Sequence, residues 1–274
     1  MNPKLTNFNN LIFIILVSLN FFLPMSMVLA QKSNLKTKGP GTILIDPGHG
    51  GDDFGGIVSG LSEEFVVFDV CQKLIIELKK SDIKTELTRG PKQSLNLNDR
   101  VQLALLKQPD LFISIHANIN SDPKIYGAEF YVEPSNALLG HTDFLTYLTK
   151  DLELKALSPA EHPRFYYPSV KKLKLKSPAN IIILDMLRMK TRKQSLILAE
   201  NLKKNWPTKS EIREGQFFVI KQLPIPSALI ELGYLSNPAD FKILNSSAKR
   251  QELANNLALG LKDYLLNKSL NSTQ

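Results

Sequence analysis

The chain has 274 residues, of which 43% are hydrophobic and 22% are charged, and its formal net charge is +8 at pH 7. This is the composition of a globular protein with enough residues for one large domain or two small ones. A basic chain suits anionic partners such as a membrane surface or an acidic wall polymer. Nucleic acid is not expected, because no motif interleaves aromatic and basic residues. The single cysteine, Cys71, excludes an internal disulfide, so a packed core must stabilise the fold.

Residues 1–30 have the pattern of a secretory signal peptide. Lys4 precedes an apolar core, and the segment ends in Val28-Leu29-Ala30, a small-x-Ala cleavage pattern. The alternative is an uncleaved membrane anchor, because the apolar stretch is nearly long enough to span a bilayer, but Asn20 and Pro24 interrupt it. We therefore predict export to the periplasm or the extracellular cell wall, with membrane contact only if this segment is retained.

After a polar linker at 31–40, apolar runs alternate with segments of helical periodicity. Strands are predicted at 42–45, 83–87, 111–115, 127–132, 217–220 and 227–232, and helices from about 62, at 98–107, at 181–205 and at 248–266. This alternation predicts an α/β fold: a single three-layer domain over 41–267, with a largely parallel central sheet and helices on both faces. Residues 134–180 read as a variable insertion, and 268–274 as a polar tail.

Two of the four histidines follow predicted buried strands. His49 lies in the Gly-rich turn after the first strand, and His116 directly follows the strand at 111–115. Because the carboxyl ends of parallel strands meet at one edge of a sheet, we expect the two imidazoles to lie close together. Glu63 and Glu64 begin the helix after the Gly-rich loop, and either carboxylate would complete a zinc site with an open fourth position.

Each of these residues also has a purely structural interpretation. A histidine at a strand end can bond to a backbone carbonyl, and an acid at a helix start is stabilised by the helix dipole. The coincidence of the residues at one predicted edge favours the metal site over these separate explanations.

Glu231 lies inside an apolar run, near the end of the strand predicted at 227–232. A carboxylate in a buried strand is costly unless it is paired or functional. Burial would raise its pKa toward the range that suits a base accepting a proton from water. The alternative is a structural ion pair with a lysine or arginine.

Several short segments carry specific motifs. They are IDPGHGG (45–51), EEFVVFDVCQKL (63–74), LTRG (87–90), LNDRVQLA (97–104), DLFISIHAN (110–118), ILDMLR (183–188), SLILAENL (195–202) and PSALIELGYLSNPAD (226–240). Together and in this order they resemble the zinc-dependent N-acetylmuramoyl-L-alanine amidases of the amidase 3 family.

The resemblance implies that His49, Glu63 and His116 bind Zn²⁺ and that Glu231 is the catalytic carboxylate. The family usually has Glu-Lys where this chain has Glu63-Glu64, so Glu64 remains the alternative ligand. Arg100 and Asn118, which also lie in matching segments, are expected to support the site or the fold; for Arg100 an exposed helix charge is the alternative.

The resemblance also implies a function. The expected substrate is the amide bond between the lactyl group of N-acetylmuramic acid and L-alanine of the peptidoglycan stem peptide. Zinc-activated water would hydrolyse this bond, with Glu231 as the general base. One alternative is another zinc-dependent cell-wall hydrolase, a carboxypeptidase or a deacetylase. A second is an inactive wall-binding module, which would have no need of Glu231.

In cell-separation members of this family, an autoinhibitory helix occupies the place of residues 134–180. We therefore hypothesise that a helix near 142–154 covers the zinc until an activator protein displaces it. A variable surface loop is the alternative.

Overall fold

The computed structural model describes residues 41–135, 178–221 and 223–271. The predicted signal peptide, the linker up to residue 40 and the hypothetical autoinhibitory helix near 142–154 lie outside these described residues. Within them, no helix combines the length and the hydropathy needed to cross a membrane.

Helices and strands alternate along the chain. The strands are β1 (Ile43–Pro47), β2 (Ile57–Val58), β3 (Leu61–Ser62), β4 (Thr85–Leu87), β5 (Leu111–Asn118), β6 (Ala128–Val132), β7 (Ser210–Glu214) and β8 (Ser227–Tyr234). The helices are α1 (Glu63–Lys79), α2 (Leu97–Lys107), α3 (Pro178–Lys204), α4 (Phe218–Lys221), α5 (Pro238–Asn245) and α6 (Ser247–Asn271).

The central sheet has six strands in the order β4-β1-β5-β8-β6-β7. All neighbouring pairs in it are parallel except β6 and β8, which are antiparallel. Strands β2 and β3 form a separate hairpin before α1. The predicted α/β class with a largely parallel central sheet is confirmed.

An apolar cluster covers each face of the sheet. On one face, alternate strand residues such as Ile43, Ile113 and Ile230 pack against α1, α3 and α6. On the opposite face, Leu44 and Phe112 pack against α2 and α4. Successive side chains of a strand point to opposite faces, so the buried strands are apolar on both sides and the domain has three layers.

Helix α1 begins where the sequence predicts it. The Ser62 side chain accepts a hydrogen bond from the Phe65 amide, which caps the helix and makes Glu63 its first residue. Phe65, in the first turn of the helix, is 51% exposed. The buried face is centred on Val66 and Val70, so Phe65 falls outside it.

Three further elements differ from the prediction. Residues 217–220, predicted as a strand, overlap helix α4 (Phe218–Lys221) instead, because a short apolar run does not distinguish a strand from a buried helix. Strand β7 was not predicted, since its sequence SEIRE has a single core residue, Ile212. Helix α5, begun by the Asn237 cap, was also missed, and α6 extends to Asn271 into the predicted tail.

Candidate metal centre

His49, Glu63 and His116 meet at the carboxyl edge of the sheet. His49 follows β1, His116 lies near the end of β5, and Glu63 is the first residue of α1. Oε1 of Glu63 lies 3.0 Å from Nε2 of His49 and 2.9 Å from Nδ1 of His116. The potential ligand atoms of the three residues all lie within 4.8 Å of one another. The fold therefore brings together the three residues that the sequence singled out as metal ligands.

Glu64 has a different partner. Its Oε1 accepts a hydrogen bond from Nη1 of Arg89 at 3.2 Å. The Arg89 side chain is fully buried, and it also donates to the backbone oxygens of Pro47 and Gly48. Glu64 is thus the counter-ion of a buried arginine that braces the turn before His49. The geometry favours Glu63 over Glu64 as the carboxylate ligand.

Hydrogen bonds orient the three candidate ligands. Nδ1 of His49 lies 2.9 Å from Oδ2 of Asp53, which directs Nε2 of the same ring toward Glu63. Glu63 accepts backbone hydrogen bonds from Gly56 on Oε2 and from Ala117 on Oε1. Such partners fix the orientation of side chains that bind a metal.

The charges in this cluster are strongly coupled. Burial opposes ionisation of Glu63, but hydrogen bonds from His116 and His49 hold its pKa well below the ordinary value. Burial also lowers the pKa of His49, yet the hydrogen bonds and charges of Glu63 and Asp53 outweigh burial and raise it to about 9. A divalent cation fits this set of an ionised carboxylate and two imidazoles, and its binding would displace a proton from His49.

Two glycines leave room for the ligands to converge. A Cβ atom at Gly48 would lie 2.4 Å from Cε1 of His116. A Cβ atom at Gly55, which has a φ of +61°, would lie 2.6 Å from both Oε2 of Glu63 and Cδ2 of His49. No side chain fits at such distances, so the Gly-rich loop is required for the ligands to approach one another.

Glu231 lies next to this cluster. In the register of β5 and β8 it pairs with His116, so both side chains lie on the same face of the sheet. Glu231 is only 8% exposed, and its Oε2 atom makes no hydrogen bond to any described residue. Burial, the largest effect, raises the pKa of Glu231 to about 7, and the charges of Glu63 and Glu129 add to it against the opposing charge of His116. Within the described residues, the alternative of a structural ion pair finds no partner.

Arg100 supports the turn that carries His49. From α2, its Nη1 donates to Oδ1 of Asp46 at 2.7 Å and to the Pro47 oxygen at 2.6 Å, and its Nη2 donates to the His49 oxygen at 2.6 Å. Ser114 and Thr88 also donate to the Asp46 carboxylate. Arg100 is buried, so the alternative of an exposed helix charge is wrong, and this residue positions His49 through the backbone. Asn118 makes a local contact: its Oδ1 accepts a hydrogen bond from the backbone amide of Ile119.

Sequence reasoning missed a second acidic residue beside Glu231. Glu129 on β6 is the register partner of Glu231 across the antiparallel pair. It is buried and accepts a hydrogen bond from the Tyr131 hydroxyl at 2.8 Å, and its Oε1 forms an ion pair with Nε of Arg213 at 2.9 Å. An acid in the apolar strand sequence GAEFYV is the same kind of signal that identified Glu231, so it was available in the sequence.

Comparison with known proteins relates this chain to a family. The family model described as N-acetylmuramoyl-L-alanine amidase, amidase 3, matches residues 43–263. The N-acetylmuramoyl-L-alanine amidase AmiA of Salmonella typhimurium is 30% identical over 241 residues, which cover 85% of this chain and 80% of AmiA. AmiA of Escherichia coli is 29% identical over 235 residues, covering 84% of this chain and 78% of AmiA.

A solved structure shows the same fold. The catalytic domain of CwlV, an N-acetylmuramoyl-L-alanine amidase from Bacillus (Paenibacillus) polymyxa var. colistinus, superposes with a TM-score of 0.57 at 23% identity, covering 82% of this chain and 97% of that domain. The family match spans the whole sheet together with the residues that converge at its carboxyl edge. This chain therefore belongs to the amidase 3 family of N-acetylmuramoyl-L-alanine amidases.

Proposed function

We propose that this protein is a zinc-dependent peptidoglycan amidase. It hydrolyses the amide bond between the lactyl group of N-acetylmuramic acid and the L-alanine that begins the stem peptide. Family membership supports the reaction. The observation that carries the mechanism is the position of Glu231, which is buried, pairs in register with His116 and has an oxygen, Oε2, without a hydrogen-bond partner among the described residues.

The residues at the carboxyl edge suit zinc. His49, Glu63 and His116 would hold the ion, and two imidazoles with one carboxylate leave a coordination position open, as hydrolytic zinc sites require. When bound, zinc supplies polarisation of the scissile carbonyl and a lower pKa for the attacking water.

Glu231 moves the proton in this mechanism. Burial raises the pKa of Glu231, so its carboxylate can accept a proton from water near neutral pH and then donate that proton to the leaving L-alanine nitrogen. In the part of the chain that the structure describes, no residue bonds its Oε2 atom. This supports the role, because an ion pair or hydrogen bond within the protein would compete with water for the carboxylate.

Export is part of the proposal, because the substrate lies outside the cytoplasmic membrane. The pattern of residues 1–30 supports it. Contact with the membrane would then depend only on whether this segment is retained.

Digestion of purified sacculi by the zinc-loaded protein tests the proposal. Muropeptide analysis should show free lactyl groups and new L-alanine amino termini. Release of D-alanine would indicate a carboxypeptidase, release of acetate would indicate a deacetylase, and intact sacculi would indicate a binding module. The Glu231→Gln variant should lose about 10²-fold to 10⁴-fold in kcat while it keeps its zinc, and unchanged activity would refute the mechanism.

A further inference from the structure

A row of polar residues extends across the sheet from the metal centre toward β7. The strand register pairs His116 with Glu231, Glu231 with Glu129, and Glu129 with Glu211. Register partners lie on the same face of a sheet, so all four residues share the face that carries the metal centre. Adjacent strands are about 4.8 Å apart, so β6 lies roughly 10 Å from β5.

Arg213 reaches back along this row. It is two residues after Glu211 on β7 and therefore on the same face, while Ile212 packs into the core on the opposite face. Nε of Arg213 lies 2.9 Å from Oε1 of Glu129, and Nη2 lies 2.9 Å from Oε2 of Glu211. The contact with Glu129 brings the guanidinium over β6, the strand next to Glu231.

This arginine is both held in place and accessible. Its partner Glu129 is buried and also bound by the Tyr131 hydroxyl, so the guanidinium is anchored on one side. The Arg213 side chain is nevertheless 48% exposed, and its ion pairs to described residues engage Nε and Nη2. Among the described residues Nη1 has no hydrogen-bond partner, and a planar guanidinium in a defined orientation suits a carboxylate.

We propose that Arg213 binds a carboxylate of the stem peptide, carried by the residue directly after L-alanine. This inference rests on the proposed function and names a specificity determinant for it. An extended peptide advances about 3.3–3.6 Å per residue, so a group on the second residue lies about 7 Å from the scissile carbonyl. Because the guanidinium lies over β6, roughly 10 Å from β5, a carboxylate at that position is within reach of its Nη1 atom.

Binding to a variant that cannot cleave tests this inference. The probes are two N-acetylmuramoyl-L-alanyl dipeptides that differ only in the second residue, glutamate with a free α-carboxylate or its α-carboxamide. Calorimetry with zinc-loaded Glu231→Gln protein should give a Kd roughly tenfold lower for the carboxylate, the size expected for one charge-assisted hydrogen bond at a half-exposed site. Adding Arg213→Gln should make the two Kd values equal, and adding Arg213→Lys should restore part of the preference.

The matched control is Arg192→Gln in the same background. Arg192 also pairs with a β7 glutamate, Glu214, and donates to the Glu133 backbone oxygen, but Glu214 follows Arg213 directly and so lies on the opposite face of β7. This variant should keep the tenfold preference. Circular dichroism before each titration verifies that the variants are folded.

Two results would overturn the inference: equal Kd values for the two probes when Arg213 is present, or a preference that survives Arg213→Gln. Failure of the proposed function would look different, because the wild-type protein would then release no L-alanine amino termini from sacculi, whatever the binding data show.

Discussion

Glu231 and His116 are register partners on adjacent parallel strands, and Oε2 of Glu231 makes no hydrogen bond to a described residue. The sheet thus holds a carboxylate with a free oxygen beside a candidate metal ligand. The same burial that makes this arrangement costly raises the pKa of Glu231 to about 7. Burial of this carboxylate therefore both lowers the stability of the protein and suits Glu231 to proton transfer.

The first prediction concerns pH and stability. The native carboxyl of Glu231 has a pKa of about 7 against an ordinary 4.5, so the native state binds its proton more tightly than the unfolded chain. The stabilisation from this group is complete below about pH 4.5 and is lost as the pH rises through about 7. Urea denaturation of zinc-free proteins should therefore show that Glu231→Gln gains free energy of unfolding relative to wild type at pH 8, and much less at pH 5.

The ionisation of Glu231 predicts the acid limb of the activity profile. The base must be ionised to accept a proton, so kcat/KM of the zinc-loaded wild-type protein should fall about tenfold per pH unit below the pKa of Glu231, which the charge of bound zinc would lower from its zinc-free value. A stability difference between wild type and Glu231→Gln that is equal at pH 5 and pH 8 would contradict the assignment of the raised pKa to this residue.

The second prediction separates the two adjacent glutamates. Glu63→Gln should abolish tight zinc binding, because it removes the ionised ligand between the histidines. Glu64→Gln should keep stoichiometric zinc but lose about 2 kcal/mol in free energy of unfolding, since it leaves the buried Arg89 guanidinium without its counter-ion. Metal analysis after dialysis and urea denaturation measure the two effects, and loss of zinc in Glu64→Gln alone would reverse the assignment.

The third prediction concerns Arg100. Arg100→Ala should cost about 3–5 kcal/mol in free energy of unfolding, because it leaves Asp46 as an unpaired buried charge. It should also weaken zinc binding, since the His49 backbone oxygen loses its donor. The control on the same helix is Lys107→Ala, which breaks the exposed ion pair with Glu86 and should change stability by less than about 1 kcal/mol. Competition with a zinc chelator measures the affinity, and unchanged zinc affinity in folded Arg100→Ala would exclude the positioning role.

The fourth prediction compares two glycines of positive φ. Gly55→Ala places a methyl group against Glu63 and His49, whereas Gly60→Ala, at φ +81°, meets no atom within 4 Å. Both variants carry the backbone strain of about 1 kcal/mol that a left-handed conformation imposes on alanine, but only Gly55→Ala should also lose zinc affinity, by roughly tenfold or more. Equal zinc affinity in the two variants would show that zinc binding does not require the absence of a side chain at Gly55.

Local signals in the sequence are sufficient for much of this protein. The strands β1, β5 and β8 are continuous apolar runs that each lead into a polar residue, and this pattern by itself predicts that His49, His116 and Glu231 lie at one edge of the sheet. The Ser62 cap likewise predicts the start of α1. The ambiguous cases are also local: residues 217–220 are too short to distinguish a strand from a helix, and β7 lacks an apolar pattern because one of its faces is solvated.

The tertiary structure decided the questions that depend on partners distant in sequence. Glu63 and Glu64 are adjacent and chemically identical, and they differ only because one faces two histidines from other elements and the other faces Arg89. The anchoring of Arg213 by Glu129 requires the register of β6 with β7, which no local periodicity specifies. Cross-strand register and the direction of a side chain from a helix start are set by packing over the whole domain, so these relationships emerge only when the sheet is assembled.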